Sequence, residues 1–159
     1  MSKALVAYFS CSGVTEKLAR ELAVVVGGDL YKIEPAIPYT DADLNWHDSR
    51  SRSSAEMQDK ASRPEIAGEG PNIGDYDVIY VGFPIWWYIA PTIVNTFLES
   101  HDFSGKVVAP FATSGGSGMG ESDAWLHVSC SRETKWRPGK RFGNADAAAL
   151  KDWVGSLGV

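Results

Sequence analysis

ALVAYFSCSGVTEKLARELAVVVGG, residues 4–28, carries the reading that decides the fold. Residues 4–9 form an unbroken apolar run, the pattern of a strand covered on both faces. The run stops at Ser10, Cys11, Ser12 and Gly13. Val14, Leu18, Leu22 and Val25 then recur at helical spacing, and Gly27 and Gly28 close the helix.

Working outward, the same alternation continues. Residues 30–33 read as a second strand ended by Pro35 and Pro38, and residues 49–60 as a solvent-facing helix. Residues 77–82, DVIYVG, are the clearest central strand. Pro91 suits the first turn of a helix carrying Ile93, Val94, Phe97 and Leu98. Residues 106–113 read as a strand broken late by Pro110, residues 124–129 as a helix, and residues 134–136 as a short strand. Asn144 is placed to cap a last helix, 145–157, that buries Leu150, Trp153, Val154 and Leu157. Strands alternating with helices imply a parallel sheet with helices on both faces. The 159 residues suffice for a single domain spanning 1–159, with no repeats or linkers.

Composition excludes several classes. Fifteen basic and twenty acidic residues leave a net charge of −5, unsuited to non-specific nucleic-acid binding. Cys11 and Cys130 are too few for a disulfide framework or a cysteine-rich zinc site. Six apolar residues before Ser10 are too short for a signal sequence, and no apolar run reaches membrane-span length. A cytoplasmic protein without a membrane or nucleic-acid partner is expected.

In parallel α/β sheets, ligands bind outside the carboxyl ends of the strands. That rule selects three loops. The first, SCSGVT (10–15), joins a buried strand to a helix start, whose unpaired N–H groups attract a phosphate. Ser10, Ser12 and Thr15 add hydroxyl donors, and Gly13 permits close approach. Simple helix capping would use some of the same residues, but three hydroxyls in six residues favour an anion site. The second loop, FPIWWYIAP (83–91), sets two tryptophans and a tyrosine at a strand's end. Trp86, Trp87 and Tyr88 cannot all point inward, so at least one faces the cleft, where a flat conjugated ligand would stack. The third, TSGGSGMG (113–120), exposes backbone N–H and C=O groups.

Other phosphate chemistries fail on their letters. Gly139-Lys140 is followed by Arg141, not the Ser or Thr of a nucleotide P-loop. Glu121 stands where a dinucleotide fingerprint needs glycine, and Lys17 where a cysteine phosphatase needs arginine. Met119 stands where a serine-hydrolase elbow around Ser117 needs glycine.

A phosphate loop, an aromatic loop and a loop of bare backbone suit flavin mononucleotide, FMN. With YFSxSGxT, GFPIWW and FxTSGGSGxG in order, the chain resembles the flavodoxin-like proteins from Ala4 to Trp153. The resemblance implies a three-layer sandwich with a five-stranded parallel sheet in order 2-1-3-4-5, and FMN as cofactor. It implies that Ser10, Ser12, Gly13, Val14 and Thr15 wrap the phosphate. Pro84, Ile85, Trp86, Trp87 and Tyr88 would lie on one side of the ring, and Ser114, Gly115, Gly116 and Gly118 on the other. Val14 stands where relatives commonly carry asparagine, and Tyr88 where they commonly carry glycine.

Weaker signals have ordinary readings. Cys11 is a small filler inside the first loop. His47, His101 and His127 are too scattered for a metal site, and no catalytic side chain is assigned. Arg132, Lys135, Arg137, Lys140 and Arg141 put five cations in ten residues, a solvated edge or a docking patch for a nicotinamide phosphate or an acidic partner.

Two functions fit an FMN protein: a carrier between redox partner proteins, or an oxidoreductase reducing a quinone or similar small acceptor with NAD(P)H. The modest net charge favours the second. So does the lack of glycine between Pro84 and Pro91, which resists the turned peptide that one-electron carriers commonly use. The glycines of 115–120 are the alternative source of such a turn. A flavin-free binding or regulatory module on the same sheet is the reading from another class.

Overall fold

A computed structural model describes residues 3–10, 13–45, 47–59, 61–86, 90–113, 119, 122–143 and 146–158. Its strands are β1 (Ala4–Tyr8), β2 (Asp29–Lys32), β3 (Val78–Pro84), β4 (Val107–Thr113), β5 (Lys135–Trp136) and β6 (Lys140–Phe142). The helices are α1 (Val14–Val26), α2 (Arg52–Gln58), α3 (Thr92–Glu99), α4 (Ser122–His127) and α5 (Ala147–Ser156). All named strands pair in parallel, in the order β2-β1-β3-β4-β5, with β6 also paired to β4. The expected order is therefore present, with a sixth strand added.

Alternation along the central strands sorts side chains to two faces. Leu5, Ala7 and Phe9, with Ile79, Val81, Phe83, Val108 and Ala112, meet α3 and α4 through Ile93, Phe97 and Leu126. Val6, Tyr8, Tyr80, Ala109 and Phe111 meet α1 and α5 through Leu18, Leu22, Leu150 and Trp153. On α1 the buried stripe starts at Thr15, not at Val14, which is 51% exposed. Gly27 ends α1 at φ 63°, as the double glycine implies.

Pro110 does not break β4. It pairs in register with Val81 and is buried. In a parallel strand, one residue's N–H and C=O point to the same neighbour, and the side alternates. Lys106 and Val108 accept from Lys135 N and Arg137 N, whereas Val107 N and Thr113 O bond towards β3. By that alternation Pro110 turns its missing donor towards the fifth position, where the ladder lapses. The fifth strand is accordingly split into β5 and β6 around Arg137, Pro138 and Gly139.

Three further expectations change. The last helix is capped by Asp146, whose carboxylate accepts from Ala148 N and Ala149 N; Asn144 lies outside the described residues. Val154 on that helix is only partly buried. Helix α2 is shorter than expected and not solvent-facing, because Ser53, Ser54 and Met57 are buried. Pro91 is the cap of α3, one residue before its first turn.

A charged pair ties the far end of α3 to the preceding loop. Arg63 donates to both Glu99 oxygens, at 2.9 and 3.1 Å, and Ser129 Oγ donates to Glu99 Oε2 at 2.8 Å. The Arg63 hydrogen bonds, helped by Ser129, hold the Glu99 carboxyl below its usual 4.5, against the opposing effect of burial. A carboxyl depressed on folding stabilises the protein above its unfolded pKa and stops doing so as pH falls through the folded one. Arg63→Met should therefore cost roughly 0.5–1 kcal/mol at pH 7, the pair being part-exposed, and less below pH 4. Urea unfolding at both pH values checks this.

Candidate functional site

The carboxyl ends of β1, β3 and β4 converge, as the parallel order requires. Ile85 N donates to Thr113 O at 3.0 Å, joining the end of β4 to the start of the second loop. Thr15 Oγ1 lies 2.7 Å from Thr113 Oγ1, joining β4 to the first loop. Both residues are buried, at 2% and 6% exposure. Thr113 thus touches the first and second loops and opens the third.

Gly13 caps α1 at φ 88° and contributes no side chain to the first-turn N–H groups. Its chain neighbours apart, a Cβ there would meet no atom of the described residues within 4 Å. Ser10 Oγ accepts from Gly13 N at 3.2 Å, which leaves its own hydroxyl proton to donate outward. The N-terminus of a thirteen-residue helix, a positive-φ glycine and a neutral hydroxyl make a cradle suited to a phosphoryl group.

The acidic side chain of this first turn, Glu16, is held by partners on β1 and β2. Glu16 accepts from Tyr8 Oη at 2.9 Å and sits 3.7 Å from Lys32 Nζ. The Tyr8 bond leads the effects that lower the Glu16 pKa. Burial, then the same bond, pushes the Tyr8 phenol up to about 12.

Trp86 is half-buried, and its ring stands edge-on to Phe9 and Tyr39, each at 5.7 Å between centroids. Phe9 and Tyr39 are also 5.7 Å apart, closing a three-ring cluster. Tyr39 is itself held: its hydroxyl donates to Glu56, and the Arg52 guanidinium lies 3.8 Å over its ring. Of the three loop aromatics, Trp86 is therefore anchored in the core cluster. Beside it a cleft of about 230 Å³ opens between Phe9, Ser10, Ile33, Pro38 and Tyr39.

The expected site residues divide as follows. Ser10, Gly13, Val14, Thr15, Pro84, Ile85 and Trp86 come together at one end of the sheet. Ser12, Trp87, Tyr88, Ser114, Gly115, Gly116 and Gly118 lie outside the described residues, as does Cys11. Sequence reasoning missed Thr113 and Tyr39. Thr113 ends β4 and Tyr39 lies in the segment after β2, so the rule that selected the loops also pointed to both.

The remaining reactive groups have structural surroundings. Burial pushes the Cys130 thiol up to about 12, which keeps it protonated and unreactive. His101 packs on Phe97 and Phe103, and burial lowers its pKa. Among the described residues no cluster of His, Cys, Asp or Glu could hold a metal, and no helix is long and apolar enough to cross a membrane.

A family model described as Flavodoxin matches residues 3–157. A protein described as a flavoprotein of Bacteroides eggerthii is 49% identical, with 100% of this chain and 99% of that one covered and a TM-score of 0.95. One from Bacteroides uniformis is 46% identical over 97% and 98%, with a TM-score of 0.92. A flavoprotein of Lactobacillus acidophilus, solved in complex with FMN, shares the fold at 22% identity over 97% and 99%, with a TM-score of 0.75. No curated protein matches the chain.

Proposed function

The chain belongs to the flavodoxin family, and from that premise we propose that it binds FMN and works as a redox flavoprotein. The observation that carries this reading is the start of α1, where among the described residues no side chain caps the helix and none crowds Gly13, beside the hydroxyl of Ser10. The N–H groups of the first turn, with Ser10 and Thr15, would hold the phosphate by neutral donors, and Ser12 is proposed to join them. Pro84, Ile85 and Trp86 would flank the ring from β3, with Trp87 and Tyr88 completing that side. Ser114, Gly115, Gly116 and Gly118 are proposed for the other side. When bound, FMN supplies the electron-accepting ring; the protein orients it and sets its potential.

The finer reading is reduction of a quinone or similar small acceptor with electrons from NAD(P)H. It rests on the modest net charge and on the glycine-free stretch between Pro84 and Pro91. Turnover of NADH or NADPH with a quinone by the purified yellow protein tests it. A protein that carries flavin but turns over neither donor would act instead as a carrier between proteins.

The phosphate assignment has its own test. Thr15→Val removes a buried hydroxyl while keeping a β-branched shape. It should weaken FMN by roughly 10–100-fold, the worth of a hydrogen bond to a charged group. Riboflavin, lacking the phosphate, should lose little. Equal losses, read from the quenching of flavin fluorescence, would remove Thr15 from the phosphate site.

A further inference from the structure

We propose that Thr113 is a positioning residue of the phosphate site, fixing the direction in which Thr15 donates its hydroxyl proton. The proposal rests on residues 10–15 being the phosphate loop. The two hydroxyls lie 2.7 Å apart, and either oxygen could be the donor. Each carries one proton, and one of the two protons occupies the bond between them. If Thr15 donates to Thr113, Thr15 turns only lone pairs towards the helix start and repels a dianion. If Thr113 donates to Thr15, the Thr15 proton is left for the phosphate.

A phosphate at the start of α1 therefore selects the order Thr113 to Thr15 to phosphate. At 2% and 6% exposure, water is a poor substitute donor for either group. Thr113 is well placed to hold this order. Its carbonyl accepts from Ile85 N, and its backbone is in register with Pro84 on β3 and Phe142 on β6. A donor behind Thr15 polarises the Thr15 hydroxyl and strengthens its bond to an anion.

The test compares the affinities of the full chain for FMN and riboflavin in Thr113→Val, Thr113→Ser, Thr15→Val and the double valine variant. Thr113→Val should weaken FMN about fivefold with riboflavin nearly unchanged, as expected for losing one hydrogen bond. Thr113→Ser, which keeps the donor, should restore the parent ratio. The double variant should bind FMN no worse than Thr15→Val alone, because Thr113 acts through Thr15. Equal loss of both ligands in Thr113→Val, an unchanged ratio, no rescue by serine, or additive losses would overturn the proposal. If Thr15→Val itself leaves the FMN-to-riboflavin ratio unchanged, the phosphate-loop reading falls and the proposal falls with it.

Discussion

Trp153→Ala should lower the unfolding free energy by about 3–5 kcal/mol, the usual cost of deleting a buried tryptophan. The indole is 6% exposed and stands edge-on to Tyr80, Phe111 and Phe142, at 5.8, 6.3 and 5.6 Å between centroids. Those three rings belong to β3, β4 and β6, so one side chain of α5 packs across three strands. The three rings are fixed on strands of the sheet, so the gap can close only in part. Equilibrium urea unfolding measures the effect. A loss under about 1 kcal/mol would mean that α5 is dispensable to that face.

Gly82→Ala should cost about 2–3 kcal/mol, by overpacking and not by loss of contacts. A Cβ on Gly82 would lie closer than 3.0 Å to three ring atoms of Phe111, its register partner on β4. That ring is fully buried and rests on Trp153, so it has nowhere to retreat. Phe111→Leu costs stability alone but removes the ring that the new methyl meets. The double variant Gly82→Ala with Phe111→Leu should therefore be more stable than the sum of the two single losses predicts. Additive losses would show that the ring moves aside freely. Gly82 also lies two residues before Pro84, so the alanine variant should bind FMN more weakly.

Much of the chain was legible because its signals are local. The apolar run of residues 4–9 followed by a 3.6-residue period needs no tertiary information to be read as strand and helix. The same stretch located the candidate phosphate loop, since hydroxyls and glycine at a strand end announce themselves in order. Helix α2 was misread because the residues it buries are mainly serines, which carry little apolar signal. Pro110 was misread for a geometric reason. Whether a proline breaks a strand depends on which neighbour its missing donor faces, and no periodicity states that. Thr113 and Tyr39 lie where the strand-end rule looks, but the partners that make them site residues are brought to them only by the fold. Thr15 and Thr113 are 98 residues apart in sequence.

The split of the fifth strand makes that margin of the sheet a poor template for a second chain. A parallel sheet ends in two rows of unmet backbone groups, and a second copy could add a strand to either. On the β4 side such a copy would find two residues of β5 and three of β6, interrupted at Arg137, Pro138 and Gly139. Lys135 and Lys140, both exposed, place a charge on each piece. On the other side β2 has four residues, two of them charged, and beyond it Pro35 and Ile66 form an antiparallel bridge. Neither margin offers the long, flat, uncharged stretch that templates aggregation. The proline that interrupts β4's outer ladder thus leaves the buried strand intact while denying an intruding chain a continuous partner.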